Sequence, residues 1–258
     1  MMKKIFMTVM LLLLWHGVAF GAHPLITDDT GTQGAGKMQI EVNGEYAREG
    51  GDSDAEVGAI VSFGLGEDMD LVLSAPYQFL RFTGEQGGKT SEEGFSDIGG
   101  ELKWRFYERG SLGFAVKPGV TIPTGDEEKG LGEGEASYGL VLITTKTFGS
   151  GLVLITTKTF GSSAVDVNIG FIRNREELRD IWLYSLAGEY GLANNLVLVG
   201  NVGGQTNPDP GSDTHPAFVL GGLIYSVSDH LDVDVGMKAG LNGAEADYAV
   251  LAGMALRI

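Results

Sequence analysis

Met38-Gln39-Ile40-Glu41-Val42-Asn43-Gly44-Glu45-Tyr46 puts Met, Ile, Val, Gly and Tyr on one face and Gln, Glu, Asn and Glu on the other. Strict alternation is the mark of a β-strand with one apolar face and one wet face. The same period recurs. Ile98, Gly100, Leu102, Trp104 and Phe106 alternate with Asp97, Gly99, Glu101, Lys103 and Arg105, and Leu231, Val233, Val235, Met237 and Ala239 with Asp232, Asp234, Gly236, Lys238 and Gly240. Further candidate strands cover approximately 55–64, 70–82, 112–124, 136–147, 164–173, 180–190, 196–206, 216–226 and 246–258, which brings the count to twelve.

Two features separate a membrane barrel from a sandwich, which also alternates. Many segments sustain about 10 residues, the length that crosses an outer membrane at a tilt, whereas sandwich strands average about 5 or 6. The connections also alternate in length. Leu65 to Met69, Glu108 to Ser111, Gly191 to Asn195 and Val227 to His230 are short; Glu49 to Asp54, Thr83 to Gly94, Gly125 to Glu135, Asn174 to Arg179, Asn207 to His215 and Leu241 to Glu245 are longer or more polar. Short periplasmic turns and longer outer loops are what a barrel with both ends inside the cell envelope predicts. Aromatics such as Tyr46, Tyr77, Phe79, Trp104, Phe106, Trp182 and Tyr190 lie toward segment ends, as interfacial girdles do. The closing run Tyr248 to Ile258 alternates to its last residue and resembles the assembly signal of such barrels, which usually ends in Phe or Trp rather than Ile258. The expected fold is all-β, a transmembrane antiparallel β-barrel of about 12 strands over 37–258.

Composition agrees. Of 258 residues 41 are Gly, and there are 18 Lys plus Arg against 34 Asp plus Glu. Gly is therefore about 16% of the chain, twice its usual share, which argues against helical bundles. The acidity argues against nucleic acid, whose phosphates need a basic face. With no Cys, disulfide scaffolds, zinc ribbons and thiol catalysis drop out. Lys3-Lys4, an apolar run from Ile5 to Trp15, and the small residues Ala19 and Gly21 make 1–21 a signal peptide cleaved after Gly21, with Ala22 as the second choice. Its removal leaves the chain two charges more negative than −16. Residues 22–36 form an N-terminal arm, taken as periplasmic, with a place inside the barrel as the alternative.

Residues 140–151, LVLITTKTFGSG, are followed at 152–163 by LVLITTKTFGSS. A thirteenth spanning strand would invert every later loop, and single-chain bacterial barrels have even strand numbers. The surplus is expected to enlarge a periplasmic hairpin or lengthen a strand pair. An odd-stranded barrel and a recent duplication without function are the rival readings.

Catalytic constellations are absent from the pattern. His23, His215 and His230 fall on the arm, an outer loop and a turn, and Ser228-Asp229-His230 is a contiguous turn whose side chains do not converge as a triad requires. Asp52, Asp54 and Glu56 resemble the start of a calcium loop, but Val57 stands where its Gly belongs. Gly125 to Gly134 lacks the Gly-Lys-Ser/Thr ending of a phosphate cradle and precedes no helix. No enzyme activity, cofactor or metal is expected. With apolar residues facing lipid, Glu41, Asn43, Glu45, Asp97, Glu101, Lys103, Arg105, Lys117, Asp166, Asn168, Asp232, Asp234 and Lys238 face inward. They either pair and fill a narrow barrel or line a water-filled path whose charge selects solutes. Twelve strands enclose more space than the eight that side chains can fill, which favours the path.

His23-Pro24-Leu25-Ile26-Thr27-Asp28-Asp29-Thr30-Gly31-Thr32, with Gly36-Lys37-Met38-Gln39-Ile40-Glu41 after it, resembles the start of the MetA-pathway of phenol degradation family. Lys117-Pro118-Gly119-Val120-Thr121-Ile122-Pro123-Thr124-Gly125-Asp126 is similar to its mid-chain Pro-x-x-x-x-Pro-Thr-Gly-Asp pattern. The resemblance implies an outer-membrane barrel linked with uptake of aromatic or other hydrophobic compounds, and carries no substrate-contacting residue across. The expected function is a passive outer-membrane channel for such solutes. A non-transporting structural or adhesive barrel with acidic surface loops is the alternative. Expected partners are outer-membrane lipid and lipopolysaccharide, the outer-membrane assembly machinery and a small solute, with no nucleic acid.

Overall fold

The computed structural model describes residues 23–83, 88–148, 163–174 and 178–258. The signal-peptide assignment at 1–21 lies outside them. Among the described residues thirteen strands form one antiparallel sheet: β1 (Met38–Glu49), β2 (Asp52–Gly66), β3 (Met69–Thr83), β4 (Lys89–Phe95), β5 (Ile98–Arg109), β6 (Leu112–Ile122), β7 (Ser137–Phe148), β8 (Ser163–Arg173), β9 (Ile181–Ala193), β10 (Leu196–Gln205), β11 (Ala217–Ser228), β12 (Leu231–Gly240) and β13 (Tyr248–Arg257). Apart from β4, each pairs with the wall strands before and after it, β3 pairing with β5, and β1 pairs with both β2 and β13, so the sheet closes. Closure satisfies the main-chain groups that an open edge would leave facing lipid.

Twelve of these strands make the wall. The thirteenth, β4, pairs only with the outer half of β3, Tyr77 to Thr83, while Met69 to Ser74 of β3 pair with β5. Its sequence, Lys89-Thr90-Ser91-Glu92-Glu93-Gly94-Phe95, has no apolar face, so the period of two marks it as loop. Extending a hairpin beyond the bilayer, with water on both sides, requires no such face.

Burial alternates with the sequence pattern but with inside and outside exchanged relative to a water-soluble protein. Val42 is 41% exposed and Trp182 57%, whereas the intervening wall buries Glu41, Lys117 and Asn168. Apolar side chains turned outward and charges turned inward suit a wall solvated by lipid. Strands β7 and β8 pair directly, Phe148 opposite Ser163, so the wall keeps an even count. The end of the first tandem copy and nearly all of the second, 149–162, lie outside the described residues. Deleting 152–163 is expected to leave assembly intact, and retention of the heat-modifiable folded band on gels checks it.

Candidate functional site

The barrel interior is built on two things, a charged wall and the arm that precedes β1. Residues 23–33 run inside the barrel rather than in the periplasm, because the wall offers them partners at every step. Ile26 N–H and Thr27 N–H both donate to Asn201 Oδ1, at 2.8 and 3.0 Å, and Asn201 Nδ2 donates to Thr27 Oγ1 at 2.7 Å. Thr30 N–H donates to Thr145 Oγ1 at 2.8 Å, and Gln33 N–H to the Asp70 carboxylate at 3.0 Å. Leu25 packs into a buried apolar cluster with Val199, Phe218, Leu220, Ala249 and Leu251. Extended chain in a lumen must have its polar groups satisfied, and here side chains of the wall do it.

Asp28 is the arm's anchor. Lys103 Nζ donates to its Oδ1 and Lys117 Nζ to its Oδ2, each at 2.9 Å. Lys117 also lies 3.3 Å from Glu101 and Lys103 3.6 Å from Asp29. Asn168, 0% exposed, brackets the Asp28 main chain: in the amide orientation that the network selects, it accepts from Asp28 N–H at 2.6 Å and donates to Asp28 C=O at 2.8 Å. Burial alone raises the Asp28 carboxyl, but the Lys103 and Lys117 ammonium groups outweigh it and hold it below its ordinary value. The stability that Asp28 contributes is therefore present above the usual Asp value of about 3.9 and lost as pH falls through the lower value it holds in the fold. As the arm's anchor is neutralised, conductance is expected to rise when pH falls below about 3.9, and bilayer recording across that range checks it.

Inward-facing glycines make room for the arm. A Cβ on Gly64 would lie 1.8 Å from the Gly34 carbonyl oxygen, and Cβ atoms on Gly222 and Gly236 would lie 2.7 and 2.8 Å from the Pro24 ring. These glycines face the lumen, where a side chain would collide with the arm. Gly64→Val is expected to unseat the arm's return to β1 and raise single-channel conductance; unchanged conductance would show the arm seats without that approach.

Beside the arm, toward the end bearing the short turns, lies a cavity of about 590 Å³ lined by Glu41, Asn43, Lys103, Lys117, Asp232 and Asp234 of the predicted set, together with arm residues and Asp70. Most of its basic groups already face an acid: His23 Nδ1 contacts Asp234, and Arg257 contacts Asp232. Glu41 instead accepts from neutral amides, Gln39 Nε2 at 2.7 Å and Asn43 Nδ2 at 3.2 Å. The other predicted residues sit elsewhere. Glu101 lies against Lys117. Asp166 accepts from Thr145 Oγ1 at 2.6 Å, and Glu45 with Glu245 surrounds Lys238 near the outer end. Asp97 ties down an outer loop by accepting from Gly125 N–H and Glu133 N–H, and Arg105 is held at the opposite rim by Asp68 and Glu108.

The pattern of alternation pointed to none of the arm's anchors, Asp28, Asn201 and Thr145. It also missed an inward apolar patch of Ala115, Val141, Ile143, Ile172, Ile181 and Leu183. Short runs apolar on both faces, Val141-Leu142-Ile143 and Phe218-Val219-Leu220, were the available signal.

The fold is similar to that of the COG4313 outer membrane channel from Pseudomonas putida F1, with a TM-score of 0.61 at 12% identity over 89% of this chain and 98% of that one. It is also similar to the NanC porin, TM-score 0.56 at 8% identity over 84% and 98%, and to the KdgM porin, TM-score 0.52 at 9% identity over 84% and 98%. No curated protein matches the sequence. The family described as "Putative MetA-pathway of phenol degradation" matches residues 23–258.

Proposed function

The chain belongs to the MetA-pathway of phenol degradation family, and from that premise we propose that it is a passive outer-membrane channel for small aromatic or other hydrophobic solutes. The observation that carries the reading is the closed wall, apolar outside and charged inside, around a cavity of about 590 Å³. That volume falls within the roughly 300–1,000 Å³ of cavities that take small ligands. The fold shared with an outer membrane channel and two porins supports both the membrane and the role. The family's link with phenol degradation and the two inward apolar patches support the solute class. In this reading the chain is exported by its leader, inserted by the outer-membrane assembly machinery, and surrounded by lipid and lipopolysaccharide. The cavity-lining charges set ion preference, and transport uses no catalytic group, metal or cofactor.

The arm across the lumen is the one observation that favours the second reading, a non-transporting structural barrel. Growth distinguishes them. A strain lacking the protein is expected to grow more slowly on limiting aromatic compounds and to recover with a plasmid copy; equal growth across a panel of aromatic substrates would favour the structural barrel.

A further inference from the structure

We propose that Lys103 and Lys117 form a carboxylate-binding subsite of the lumen, occupied by the protein's own Asp28 at rest and by an aromatic monocarboxylate when the arm moves aside. The proposal rests on the channel reading and names a substrate class for it.

The grip on Asp28 is a built anion site. The two ammonium groups approach opposite oxygens of one carboxylate, both at 2.9 Å, and both lysines are buried yet line the cavity. Charge-assisted bonds of this kind are the strong ones, and desolvation strengthens them. The surroundings of the clamp are apolar on one side. Lys117 stands opposite Val141 across β6 and β7, and Val141 belongs with Ala115 and Ile143 to the inward apolar patch. A charged head beside an apolar wall fits a ligand with a carboxylate on a hydrophobic ring. The arm satisfies the same combination from within, with Asp28 on the lysines and Leu25 in its own apolar cluster.

Displacing the arm also changes the field. Residues 24–33 carry two anions, Asp28 and Asp29, and no cation. Their departure leaves Glu101 as the carboxylate at ion-pair distance from Lys117 and removes both acids at that distance from Lys103. The constriction becomes more positive by two charges as the clamp opens, which draws an organic anion to it. The arm and the solute thereby compete for one site, and binding of the solute favours the displaced state.

The experiment uses the full chain carrying Asp28→Ala, which keeps the clamp and empties it. Benzoate, but not neutral benzamide at the same concentration, is expected to raise the temperature at which the heat-modifiable band converts, and to do so more than in the wild type. Equal effects of benzoate and benzamide, or no effect of either, would overturn the subsite and leave the channel reading standing. A second measurement takes the chain lacking 24–33 into planar bilayers. Millimolar benzoate is expected to halve its current, with the effect lost on adding Lys103→Gln and Lys117→Gln. Persistence of the block without the lysines overturns the assignment, and a folded but silent barrel overturns the channel reading along with it.

Discussion

Lys117→Gln is expected to lower the stability of the folded barrel by about 3–5 kcal/mol, the usual cost of removing one member of a buried ion pair. Lys117 is 1% exposed and lies between two carboxylates, Asp28 and Glu101. Neutralising it leaves two buried acids with one base fewer between them. Lys103 remains on Asp28, so the change falls most heavily on Glu101. The conversion temperature of the heat-modifiable band reads the loss. Adding Glu101→Gln to Lys117→Gln removes the stranded charge and is expected to recover part of the stability, as coupled neighbours do. Additive losses in that double variant would show that the two residues do not act as a pair.

Deleting residues 24–33 is expected to raise single-channel conductance by about tenfold, since current through a pore follows the width of its narrowest ring. The segment supplies Leu25, Thr27, Asp28 and Thr30, all buried, across the middle of the lumen. Its hydrogen-bonded partners lie on β3, β5, β6, β7 and β10, so the arm bridges opposite parts of the wall. The wall strands pair with one another independently of it. Assembly is therefore expected to survive the deletion while the obstruction disappears, and conductance equal to the wild type's would mean that current does not pass where the arm lies.

The wall was legible in the sequence because lipid imposes a rule on every residue in it. Met38 to Tyr46 and Leu231 to Ala239 alternate since each outward side chain meets hydrocarbon, and β13 lies between them, paired with β1 on one side and β12 on the other. Where lipid is absent the rule lapses. β4 is polar on both faces and reads as a loop. The arm has no period, since a single extended segment in a lumen is held residue by residue: Thr27 by Asn201, Asp28 by two lysines, Thr30 by Thr145. Those partners lie between 75 and 174 positions away along the chain. The charged inner face was legible as residue types, but not which acid meets which base. Lys103 and Arg105 are neighbours on one face, yet Lys103 reaches mid-lumen Asp28 while Arg105 closes on Asp68 at the rim. Inward apolar residues such as Phe218 and Ile143 break the alternation rule outright, and their burial follows from packing against other lumen residues.

Everything proposed for this barrel requires that it conducts and that the arm sets how much. Recording of purified protein in planar bilayers tests it most directly. A small, steady current is expected from the wild type and a much larger one once 24–33 are removed. Silence from both proteins, with their folded bands intact on gels, would contradict it.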